Sequence, residues 1–98
     1  MNIEAVTAEH ETSPILSVPD GQRTAPLRVC VEAALQGYFQ QMAGHLIRDL
    51  YQLMLTEVEE PLIRSVMEYT KGNQTQAADI LGISRSTLRK KLTHYKLG

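Results

Sequence analysis

Apolar residues recur at spacings of three and four through most of the chain, and that period predicts helices. Leu27, Val31, Leu35, Tyr38 and Met42 form one stripe along a helix of about four turns. Pro26 suits its first turn, and Gly44 is a natural stop. A longer pattern follows, with Leu50, Met54, Val58, Leu62, Val66 and Tyr69 on one side. Leu53, Leu55, Ile63 and Met67 widen its apolar surface, and Lys71-Gly72 ends it, with the glycine expected at the C′ position. Pro61 falls inside this segment. The apolar period stays in phase on both sides of it, which predicts one helix kinked near residues 57–61 rather than two.

Residues 73–95, NQTQAADILGISRSTLRKKLTHY, predict two short helices around a tight turn. Asn73 caps the first, and Gln76 stands three residues on, as in a capping box. That helix carries Ala77, Ala78, Ile80 and Leu81; Gly82 supplies the turn, and Ile83 packs beneath it. Ser84 caps the second helix, and Leu88, Leu92 and Tyr95 form its inner stripe.

Residues 1–25 lack such a period. They hold Pro14 and Pro19, and residues 15–25 read ILSVPDGQRTA. Pro19-Asp20-Gly21 is a turn signal, so this flexible arm is either a two-stranded hairpin or a disordered tail. The chain then divides into an arm (1–25), dimerisation helices (26–72) and a helix-turn-helix (73–98). The fold class is all-α, with four helices per subunit.

A net charge of −1 says little, but its distribution says more. Residues 1–70 hold four basic and ten acidic side chains, a net of −6; residues 71–98 hold six basic and one acidic, a net of +5. A basic end on an acidic body is the footprint of phosphate binding. The outer face of the last helix, opposite Leu88 and Leu92, carries Arg85, Thr87, Arg89, Lys90 and Lys91. Arg85, in the first turn, suits a bidentate contact to guanine, and Arg89 a flanking base or a phosphate. Thr87, Lys90 and Lys91 suit phosphates, as do Asn73 and Thr75 at the amino end of the preceding helix. The expected partner is double-stranded DNA.

The long helix is apolar over more of its girth than one neighbour covers, which points to a second copy of the chain through Leu50, Met54, Val58, Leu62 and Val66. A helical adaptor indifferent to DNA is the rival reading. An enzyme is not expected. Cys30 lies within an apolar helix, and His10, His45 and His94 are scattered, so they supply neither a nucleophile pair nor a metal site. Cofactors are expected to be none. One cysteine permits no internal disulfide, and neither a membrane span nor a signal peptide is apparent, so a cytoplasmic location is expected.

The segment from Pro26-Leu27 through Tyr38-Phe39, and DLYQLMLTEVEEPLIRSVMEYTKGNQTQAADILGISRSTLRKKL over residues 49–92, resemble the Fis family (factor for inversion stimulation). The carboxy-terminal part alone is also similar to the DNA-binding domains of NtrC-type response regulators, which lack such a first half. The Fis resemblance implies an intertwined homodimer and recognition helices closer together than one turn of straight DNA, so that the duplex bends. It implies nucleoid-associated transcription regulation, and as the alternative an accessory role in site-specific recombination. RNA polymerase and a recombinase would be the protein partners. Asn73, Thr75, Arg85, Thr87, Arg89 and Lys90 carry over as DNA contacts. Ser84 stands where the best-known members have Asn, and Thr93 and His94 where they have lysines, which implies a shallower salt dependence. In the arm, Leu16, Val18 and Asp20 fit the recombinase-activating hairpin, with Leu16 and Asp20 as its contacts, whereas Gln22 stands in place of an aliphatic residue.

Overall fold

The computed structural model of the chain describes residues 16–20 and 23–98, with Asp20, Arg23 and Thr24 described by their backbone alone. The remainder of the arm lies outside the described residues. The chain divides into two compact units between Leu46 and Ile47, and each is built by its own local logic.

The first unit holds a hairpin and a helix. Strands β1 (Ser17–Asp20) and β2 (Arg23–Pro26) pair antiparallel, with Ser17 opposite Pro26, Pro19 opposite Thr24 and Asp20 opposite Arg23. The Leu27 N–H donates to the Leu16 carbonyl at 3.0 Å. That bond fixes the alternation of the ladder, and it places both Pro19 and Pro26 at non-hydrogen-bonded pairs, where a missing N–H costs nothing. The hairpin alternative is the one observed, with one change. Pro19 and Asp20 belong to the strand, so the connection is residues 21–22, which lie outside the described residues. Helix α1 (Leu27–Gln41) starts directly after Pro26 and buries no residue within one chain. The turn beyond it uses Gly44 at φ 85°.

The second unit begins with α2 (Leu50–Tyr69), which runs unbroken through Pro61. Its amino end is unusual: Asp49 is left-handed at φ 54° and offers no side-chain cap. Its carboxy end is a Schellman motif. Gly72 N–H donates to the Met67 carbonyl at 2.9 Å and Lys71 N–H to that of Glu68 at 3.2 Å. The C′ residue is therefore Lys71, at φ 55°, and Gly72 follows it at φ 86°. The expected glycine stands one place later than the motif requires.

Helices α3 (Gln74–Leu81) and α4 (Arg85–His94) complete the unit. Asn73 Oδ1 accepts from Gln76 N–H at 3.0 Å. The return bond of a capping box is replaced, because Asn73 N–H already donates to the Thr70 carbonyl at 3.1 Å. Gly82 at φ 76° closes α3 with a second Schellman motif, in which Ile83 N–H reaches the Ala78 carbonyl at 3.1 Å. A third closes α4, with left-handed Lys96 at φ 59° and Leu97 N–H bonded to the Leu92 carbonyl at 2.8 Å.

Ile63, Ala77, Ala78, Leu88 and Leu92 form the core, with Val66, Met67, Leu81, Ile83, Tyr95 and Leu97 packed round it. Ile63 comes from α2, so the carboxy-terminal half of the long helix is the floor on which α3 and α4 rest. Residues 47–98 thus form one unit around this core. Ile80, grouped with the apolar residues of α3, is half exposed at 50%.

Candidate nucleic-acid interface

The two small alanines set the geometry of the site. Ala77 and Ala78 are buried with almost no side chain, which lets α4 approach α3 closely. Gly82 then turns the chain in a conformation that L side chains rarely adopt. Leu88 and Leu92 point inward, and the opposite face of α4 is left to water.

The exposed residues of α4 are Arg85, Ser86, Arg89, Lys90, Thr93 and His94. Arg85 and Arg89 stand one turn apart, and both flank the first turns of α4. Asn73 and Thr75 are exposed at the amino end of α3. Ser84 and Thr87 are bound to each other. Ser84 Oγ accepts from Thr87 N–H at 3.1 Å and donates to Thr87 Oγ1 at 2.9 Å, so the hydroxyls that start α4 serve the cap.

Lys91 takes a different direction. Its Nζ lies 2.9 Å from Glu59 Oε2 on α2, and the Tyr95 hydroxyl donates to Glu59 Oε1 at 2.6 Å. The His94 ring meets Tyr95 edge-on at 4.7 Å between centroids. Neither Glu59 nor its bond to Tyr95 is read from the sequence, since the partners are 36 residues apart. The signal was present but faint: Glu59 stands one turn before Ile63, on the side of α2 that meets α4.

The Lys91 ammonium, and after it the Tyr95 hydroxyl, hold the Glu59 carboxyl below its ordinary 4.5. The same bond to Glu59 raises Tyr95 above its ordinary 10.0. The two shifts work at opposite ends of the pH scale. For Glu59 the folded pKa is depressed, so its contribution is present above the ordinary carboxylate range and is lost as pH falls through the lowered value. For Tyr95 the folded pKa is raised, so its contribution is present at neutral pH and is lost as pH rises through the raised value. Thermal melts of wild type and Glu59→Gln should therefore differ most near neutrality and converge as pH falls through the lowered carboxyl pKa. A difference that persists undiminished to about pH 2 would contradict this assignment.

Among the described residues no group of three or more His, Cys, Asp or Glu is placed to hold a metal ion, and no helix is long and apolar enough to cross a membrane. Two short helices joined at a left-handed glycine, the second capped by serine and basic on its outer face, define a helix-turn-helix protein. Residues 54–95 match the model for bacterial regulatory proteins of the Fis family, and residues 1–47 match that for the amino-terminal domain of DNA-binding protein Fis. The chain is 46% identical over 92 residues to DNA-binding protein Fis of Haemophilus influenzae, covering 94% of this chain and 93% of that one. It is 47% identical to that of Proteus mirabilis and 45% identical to that of Aliivibrio fischeri, each over 92 residues and 94% of both chains. The chain belongs to the Fis family.

Proposed function

We propose that the protein is a homodimeric DNA-binding and DNA-bending protein, acting in the cytoplasm as a nucleoid-associated regulator of transcription. One observation carries the reading: α4 buries Leu88 and Leu92 and turns Arg85, Arg89 and Lys90 outward. A helix with that division fits the major groove, with arginines in reach of base edges and the lysine in reach of phosphate. Asn73 and Thr75, at the amino end of α3, are proposed as phosphate contacts, and Ser84 and Thr87 as contacts at the start of α4. Family membership supports the bend, since closely spaced recognition helices meet successive half-sites only on a curved duplex.

The dimer rests on α2. A helix turns by about 100° per residue, so a series at every fourth position drifts by about 40° per step. Leu50 and Val66 therefore lie on nearly opposite sides of α2, and Val66 packs on the core of its own chain. The exposed apolar row is Tyr51, Leu55, Val58, Leu62 and Tyr69, at steps of four, three, four and seven along one flank. Val58 and Leu62 remain 45% and 48% exposed. They are proposed as the centre of the contact, with Leu50 and Met54 at its edge. The remaining proposed partners are RNA polymerase and a site-specific recombinase. The latter would be met through Leu16, which is exposed just before β1, and Asp20, which ends it.

Selection of bound fragments from random duplex DNA, followed by titrations at several salt concentrations, tests the reading. Arg85→Ala should cost about 1–3 kcal/mol and relax the preference at one base of each half-site. Lys90→Ala should weaken all sequences alike and flatten the salt slope by about one per subunit. Retained sequence preference in Arg85→Ala would show that α4 does not read the groove as assigned.

A further inference from the structure

Glu59 grips the recognition helix at two points. Its Oε2 meets Lys91 Nζ at 2.9 Å and its Oε1 accepts from the Tyr95 hydroxyl at 2.6 Å. Lys91 lies in the last turns of α4 and Tyr95, four residues on, caps its end, so the two stand one turn apart on one flank. A carboxylate that holds two sites a turn apart resists both rotation of α4 about its axis and sliding along it. The contact is sheltered, with side-chain exposures of 18% for Glu59 and 32% for Lys91, so water screens it less than it screens a surface pair. The helix that supplies Glu59 is also the one that carries Ile63 beneath α3 and α4. Rotation of α4 decides which side chains face a groove, and Arg85 and Arg89 stand across the Leu88 and Leu92 stripe from Lys91.

We propose that Glu59 is a positioning residue of the DNA interface, holding Lys91 away from the phosphates and, through Lys91 and Tyr95 together, fixing the rotation at which Arg85 and Arg89 meet base edges. This rests on the DNA-binding reading above. It separates two lysines that are neighbours in sequence: Lys90 neutralises phosphate, whereas Lys91 neutralises Glu59. It also makes Tyr95 a working part of the interface, although its ring contributes to the core.

The test compares wild type, Lys90→Ala, Lys91→Ala, Glu59→Gln and Tyr95→Phe. Each is titrated against a duplex recovered by selection and against a scrambled duplex, over a series of salt concentrations. Lys91→Ala should leave the salt slope unchanged, while Lys90→Ala flattens it by about one per subunit. Glu59→Gln releases a cation near the duplex, so its slope should steepen by about one per subunit. Its preference for the selected duplex should fall by about tenfold, the scale of one misplaced base contact. Tyr95→Phe should lose preference by a few fold at an unchanged slope, since it removes a hydrogen bond and no charge. A Lys91→Ala slope as flat as that of Lys90→Ala, or a Glu59→Gln protein with wild-type slope and preference, would overturn the proposal. Should Glu59→Gln fail to fold, the two lysine variants still decide, because both keep Glu59. Wild-type protein that ignores both duplexes would instead bring down the DNA-binding reading itself, and this proposal with it.

Discussion

Leu88→Ala should destabilise the protein by about 2–5 kcal/mol, a large share of the roughly 5–15 kcal/mol that holds a small domain folded. Leu88 has no exposed surface and sits among Ile63, Ala77, Ala78 and Leu92. Two of those neighbours are alanines, which have no side chain to swing into the space. The cavity should therefore stay open, and the cost should lie toward the upper end of the range. Urea unfolding followed by circular dichroism measures it, at one fixed protein concentration because the stability of the proposed dimer would depend on concentration. Under stabilisation by a neutral osmolyte, the folded variant should keep the wild-type salt slope for DNA, since no charge has changed. A loss below about 1 kcal/mol would mean that the core is built elsewhere.

The four helices were legible because each announces itself locally. A period of three and four marks the interior, Asn73 and Ser84 mark two starts, and Gly82 marks the turn between them. What failed to show was fixed by longer-range or competing bonds. Asn73 N–H is taken by Thr70, so half of the capping box is unused although both residues are present. Lys71 accepts the left-handed position that the adjacent glycine seemed to claim, because the Schellman bonds need their C′ residue directly after Thr70. Pro19 and Asp20 carry a turn signal yet pair with Thr24 and Arg23. Pro19 falls at a ladder position that asks for no N–H, and so the proline is absorbed into the strand.

The candidate site divides in the same way. Lys90 follows from the inward leucines by period alone, being two residues from each, whereas Arg85 stands three and seven residues before them and is exposed because it opens the helix. Lys91 does not follow in this way. Its position on the flank of α4 leaves it free to turn toward phosphate or toward α2, and the choice depends on an acid 32 residues earlier. The pair Lys90-Lys91 looks uniform in sequence for that reason, and its members differ only once α2 is packed against α4.

Leu62→Asp should abolish the dimer and, with it, most of the folded state. Wild-type protein at micromolar concentration should sediment at about 22 kDa, twice the 11.0 kDa of one chain, as two-fold closure requires. Leu62 is 48% exposed within one chain and lies in the row with Tyr51, Leu55, Val58 and Tyr69. A carboxylate there would be buried without a partner in the dimer, which is more costly than the apolar contact it replaces. Because α1 buries no residue within one chain and the core of α2 begins at Ile63, separated subunits would leave α1 and the amino-terminal half of α2 exposed, and a fall in helix content should accompany dissociation. Two further substitutions separate a dimer contact from general damage. Ile80→Gln, on α3 at a residue that is 50% exposed but outside the row, should sediment as wild type. Val66→Asp should unfold the chain by a different route, since Val66 packs on Ile63 and its neighbours within one subunit. A Leu62→Asp protein that stays folded and sediments at about 22 kDa would place the interface on another face of α2, and the drifting series that includes Leu50 and Met54 would then be the better guide to it.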